Sequence, residues 1–460
     1  MIGFGSGRPG RALVLAALLS GSAGDLTAQP ANQADTLSLA DLLALAERHN
    51  PELVRARNGV AMAGAARLVA RAAFLPDVTA STSFDVSHVR RFTTTDVFGD
   101  PAEREEAVEA TSRGAIQGVF IDWRLFDGGR TVAEARAAGA RRRAAEADLA
   151  AARTGARAGV ARAYFGLLER RRMLDVERAI LDARRRDVET TERLFPIVAA
   201  DLIDVLGARI EVRRQEATVA AAEEAARAAG LDLARAVGTE IDPDLPLRPP
   251  FEPFDPDSLD EADLVRAALD AHPEILSLAA RAEASRIETW DDGWLAYLPG
   301  VAARASYVRS EFGGSGRPFL ELDPRDTESS FGLWLELPLL DRFGRRAERI
   351  RARAAAADGL AALRARRLDA ETGVRSRLLG LRSAWRSLQF ESETAAIARE
   401  RAGLARDSYE AGGIDFMRLQ QVLGGATEAE RALVQRRFDY YRALVELEAA
   451  VGRPVDRRER

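Results

Sequence analysis

The sequence of 460 residues contains no cysteine, which excludes disulfides, thiolate metal sites and cysteine nucleophiles. Lysine is absent too, so all 66 basic residues are arginine, a compositional bias that costs a helix surface almost nothing in propensity. His49, His88 and His272 are the only histidines, and no HExxH, Walker or GxSxG element occurs. No enzyme, catalytic residue, cofactor or metal site is therefore expected. His49 and His272 stand beside Pro51 and Pro273 at expected helix boundaries, where capping or surface roles suffice. The net charge of -5 is small for this length and argues against a nucleic-acid partner.

Long apolar runs are also scarce. Arg8 and Arg11 precede "ALVLAALL", and small residues follow up to "LTAQP". This fits a secretory signal peptide over residues 1-28, cut near Ala28, and the run is too short to span a bilayer. No later segment reaches 18 uninterrupted apolar residues, so no transmembrane helix is expected, and without cysteine no N-terminal lipid anchor. The expectation is an exported chain that no helix holds in a membrane.

Proline is unevenly spread. None lies between Pro101 and Pro196 or between Pro338 and Pro454, while "DPDLPLRPPFEPFDPD" packs six together. That cluster reads as a linker, 243-257, between halves 29-242 and 258-460. The halves match. "ADLLALAERHNPEL" at 40 pairs with "ADLVRAALDAHPEI" at 262, and "FLPDVTASTSF" at 74 with "YLPGVAARASY" at 297. "LFDGGR" faces "LLDRFGR", and "RAVGTEID" faces "AAVGRPVD". The offset drops from about 222 to 214 between these pairs, so a unit is duplicated with one longer loop, around "RRFTTTDVFGDPAEREEAVEA", in the first copy.

Each half alternates twice with a period of two. Val78, Ala80, Thr82, Phe84 and Val86 share a face, as do Val119, Ile121, Trp123 and Leu125, and later Phe331, Leu333, Leu335, Leu337 and Leu339. Strands are expected at about 77-88, 115-126, 300-310 and 329-340, each of membrane-crossing length when tilted. Proline-free spans rich in Ala, Arg, Glu and Leu predict long helices at about 130-195, 200-237, 345-411 and 414-451, paired as hairpins. Four strands cannot close a membrane barrel, and an open edge cannot face lipid, so several chains must share one. The other reading of the strands is a soluble sheet packed on the helices.

The signal peptide, the duplicated halves, "HNPE" and "AHPE", the "LP" strand entries, "LFDGGR" and "YEAGGIDF", in this order, resemble the TolC-like outer membrane efflux protein family over essentially all of the mature chain. The resemblance implies an α+β membrane protein. Long α-helical hairpins would form a periplasmic tunnel, and four transmembrane β-strands per chain would enter a shared twelve-stranded barrel of a homotrimer in outer-membrane lipid. It also implies a passive exit duct working with a periplasmic adaptor (membrane fusion protein) and an inner-membrane pump of RND or ABC type.

The family's helix tips carry an aromatic-x-x-Gly pattern followed by an aspartate. Tyr409, Gly412 and Asp415 match it, with Gly413 beside them. In the first half Phe195, Val198, Asp201 and Asp204 take those places, with Val198 replacing the glycine. Where the family often has gate carboxylates, this chain has Arg418 and Gln421. Asp415 and Arg418 are thus expected to set the entrance charge, or to pair and hold the tip closed, or to be ordinary turn residues. Trp123, Trp290, Trp294, Tyr297 and Trp334 are expected at the membrane interface or where barrel meets helices. A periplasmic adaptor and a structural coiled coil remain the competing classes.

Overall fold

The computed structural model describes residues 36-95, 101-195, 202-242, 245-289, 298-314, 324-337 and 343-455. The signal-peptide expectation lies outside them. Among the described residues the same order of elements occurs twice. The first half runs through helices α1 (Leu39–His49) and α2 (Pro51–Ala72), strands β1 (Asp77–Thr95) and β2 (Pro101–Phe126), and helices α3 (Arg130–Leu194) and α4 (Leu202–Val237). The second repeats it with α5 (Glu261–Ala271), α6 (Pro273–Glu288), β3 (Gly300–Gly314), β4 (Asp326–Glu336), α7 (Gly344–Glu410) and α8 (Phe416–Val451).

The break before each short helix pair's second member comes from an X-Pro step. Proline suits the first turn, where its missing N–H is not needed, and the residue before it caps. Asn50 Oδ1 accepts from Glu52 N at 2.9 Å. In the second copy His272 Nδ1 accepts from Glu274 N at 3.3 Å. Burial, aided by Arg366, holds His272 below the usual imidazole pKa, which keeps the accepting nitrogen free of a proton. Both caps then reach the end of a long return helix: Asn50 Nδ2 donates to Ala236 O at 2.9 Å, and His272 Nε2 lies 3.4 Å from Ala449 O. Gly238, at φ +88°, closes α4 so near this junction that a Cβ would lie 2.7 Å from His49 O.

α3 and α7, with 65 and 67 residues, extend about 100 Å each at the usual rise of ~1.5 Å per residue. The core sits at mid-length, where Val160, Leu378, Leu381, Tyr440, Tyr441 and Leu447 are nearly or fully buried. Here the proline-rich linker does more than connect. Leu37 bridges to Leu247, Tyr164 Oη donates to Arg248 O at 2.6 Å, and Tyr440 Oη to Phe254 O at 2.9 Å. Prolines leave few N–H groups in such a segment, so its carbonyls are satisfied from outside by tyrosine hydroxyls.

The strands form one antiparallel sheet in the order β1-β2-β3-β4. The first hairpin is longer than the alternation suggested: pairing runs from Asp77↔Asp122 to Thr95↔Pro101 with one register shift near Arg91. Much of the expected loop is therefore ladder, which Arg90–Glu109 (3.3 Å) and Ser87–Ser112 (2.7 Å) tie across the strands.

Candidate functional site: the sheet faces and the helix tips

Partners across an antiparallel ladder share a face. The register therefore puts Val78, Phe84 and Val86 with Val119, Ile121 and Trp123, then with Tyr307, and then with Phe331, Leu333 and Leu335. All ten are exposed in the single chain. The opposite face carries Thr79, Ser81, Ser83 and Asp85, Asp122, Arg304 and Ser330. The first face also carries Arg113, Gln117 and Arg309 and the second Phe120 and Val308, but the contrast of an exposed, mainly apolar face with a more polar one is the pattern of a barrel strand between lipid and water. No described helix is long and apolar enough to cross a membrane.

The two described tryptophans of the expected interface belt separate. Trp123 lies on the apolar face, and its Nε1 donates to Phe74 O at 3.0 Å, at the turn that joins α2 to β1. Trp334 pairs with Ala302, which pairs with Arg124, and so falls on the polar face. There Arg304 stacks over its ring at 5.0 Å while bonding Asp122 at 2.8 Å. Trp334, one residue out of step with Leu333 and Leu335, thus lies on the face opposite theirs. Trp290, Trp294 and Tyr297 lie outside the described residues.

At the far end the α7–α8 turn is built as its residues require. Gly412 takes φ +73°, and Gly413 N donates to Ser408 O at 2.7 Å. Asp415 is the N-cap of α8, its Oδ1 accepting from Arg418 N at 2.7 Å, while Arg418 Nη1 donates to Gln421 Oε1 at 2.9 Å. Within the chain the Asp415 carboxylate and the Arg418 guanidinium are not an ion pair. Tyr409 and Phe416 are buried, their rings 6.1 Å apart, beside Ala208, Ala405 and Leu419. Burial, with the charges of Asp204 and Asp187, lifts the Tyr409 phenol above its usual pKa. Phe195 remains exposed, as do Ile203 near the start of α4 and Met417 in the first turn of α8. Val198 and Asp201 lie outside the described residues.

Two acidic side chains that the sequence offers as ordinary helix surface turn out to be buried. Glu177 of α3 is 3% exposed and receives Arg431 of α8 in a bidentate pair (2.6 and 2.7 Å) and Gln215 Nε2 of α4 (2.6 Å). Burial pulls its carboxyl up, but these hydrogen bonds outweigh it and hold the pKa below the usual value. Asp187, ten residues nearer the tip, is 8% exposed and meets Arg406 Nε of α7 at 3.3 Å. Here burial wins over the neighbouring arginines and the pKa is raised. Nothing in a helix so dense in Arg and Glu marks these two in the sequence; only the packing of the second hairpin does.

Residues 42–239 and 264–453 match the family model described as outer membrane efflux protein. Protein CyaE of Bordetella pertussis is 28% identical over 328 residues, covering 69% of this chain, which spans 63% of that protein's length. Among solved structures, the outer-membrane channel OprN superposes with a TM-score of 0.73 at 22% identity, covering 90% of this chain and 89% of its own. The outer membrane protein VceC of Vibrio cholerae gives 0.72 at 18%, covering 91% and 97%. Matched through both halves, the chain belongs to the outer membrane efflux protein family, whose channels share this fold.

Proposed function

We propose that this chain is one third of an outer-membrane exit duct, conducting substrate passively from a periplasmic adaptor and an inner-membrane pump to the outside. The observation that carries the reading is the sheet itself. Its four strands leave β1 and β4 as open edges, and its apolar face is unpartnered. Closure needs further copies, and three would give about twelve strands, within the known range of membrane barrels. The long hairpins then continue the barrel as a tunnel through the periplasm. The energy of transport resides in the pump.

The test is the molar mass of detergent-extracted protein from an outer-membrane fraction, corrected for bound detergent. Three times the mature chain mass is expected. A monomer released without detergent would sink the duct and favour an adaptor or a structural coiled coil.

The entrance charge follows from the α8 cap. With Asp415 engaged by backbone and Arg418 held by Gln421, the ring of tips around a threefold axis carries both signs at one turn. Arg418→Ala is expected to move ion selectivity toward cations, and Asp415→Ala toward anions, with loss of about 1 kcal/mol of capping from the latter. Reversal potentials of reconstituted channels read both; unchanged selectivity in both variants removes the entrance role.

A further inference from the structure

Asp187 is a buried carboxylate whose pairing is incomplete. Its Oδ1 meets Arg406, while its Oδ2 has no partner, and the buried Gln420 Nε2 at the same tip has none either. The Thr191 hydroxyl, one turn on, donates instead to Asp187 O at 2.8 Å. The charged groups around it are Arg184 and Arg186 on α3 and Arg406 on α7, while Asp204 on α4 acts on Tyr409. Arg184 is engaged by Gln420 of α8. A groove lined by Asp187, Glu189, Glu192, Arg193, Arg406 and Tyr409 separates α3 from α7, and Arg193–Glu410, at 3.9 Å, is a further tie across it.

We propose that Asp187 makes the α3–α7 junction proton-linked, so that the two helices draw together as pH falls and part as pH rises. The sign comes from the two environments. Released into water, the carboxyl has its ordinary proton affinity; held in the junction, burial raises it. Protons therefore favour the joined state. In physical terms, a neutral acid costs less to bury than a carboxylate with one long hydrogen bond, and its proton turns the orphaned Oδ2 into a donor. Arg406 opposes this by favouring the charged form, and so sets the pH at which the change falls.

The cysteine-free chain makes the test direct. Glu189→Cys and Ser408→Cys, spin-labelled in the detergent-solubilised full-length protein and diluted with unlabelled chains, report the α3–α7 distance within one chain. This readout does not depend on the duct reading, since it needs neither conduction nor a pump. A shift to longer distances is expected as the pH is raised from acidic to alkaline. With Asp187→Asn the short distance should persist throughout. Arg406→Gln, tested in parallel, should move the midpoint to higher pH. Distances independent of pH in the parent, or an unchanged response in Asp187→Asn, would overturn the proposal.

Discussion

Tyr441→Ala is expected to cost about 3–5 kcal/mol of stability, the range for deleting a large buried aromatic. The ring is fully buried, stacked on Phe165 at 4.9 Å with 7° between the planes, and edge-on to Phe251 at 5.3 Å. Its hydroxyl also donates to Phe251 O, so it joins core to linker. Tyr441→Phe keeps the stacking and strands one carbonyl, at about 1–2 kcal/mol. Unfolding midpoints in detergent should therefore fall in the order parent, Phe, Ala. Equal losses for the two variants would mean that the hydroxyl, not the packing, carries the effect; no loss for Ala would remove the mid-length core as the seat of stability.

The second large effect concerns Glu177 and Arg431, and it is asymmetric. Removing Arg431 leaves a carboxylate that is 3% exposed without its cation, and Arg431→Ala is expected to cost about 3–5 kcal/mol. Glu177→Ala should cost less, about 1–3 kcal/mol, because Arg431 keeps 36% of its side chain in water and the charge can rehydrate. The double change Glu177→Leu with Arg431→Met should recover most of the loss, since an apolar pair of similar volume avoids the desolvation of both ions. Equal losses in the two single variants would contradict this account. The pH dependence is opposite to that of Asp187. A carboxyl held below its unfolded pKa contributes fully above about pH 4.5 and loses that contribution on acidification through the lower folded value.

The architecture was readable because it rests on periodicity. The alternation from Val78 to Val86 and the proline-free helical spans are set by backbone geometry that repeats residue by residue. Gly412, too, was legible as a turn glycine, since its positive φ admits few other residues. What escaped depends on neighbours far along the chain. The stretch after Arg90 gave no clean alternation, yet pairing with residues up to Glu109 extends the ladder. Trp334 looked like a belt residue by type, and only its register with Ala302 shows the polar face. Asp415 and Arg418 invited an ion pair by proximity, whereas the helix N-terminus takes the carboxylate. Glu177 and Asp187 were hidden among dozens of acidic residues that do face water.

The seam between the two halves makes each depend on the other. β2 and β3, one from each copy, are hydrogen-bonded along fourteen residue pairs, and the first copy's α3 lies against the second copy's α6, where Asp148 holds Ser277 and Arg281. A lone half would expose that ladder edge and that helix face, so each half completes a surface that the other leaves open.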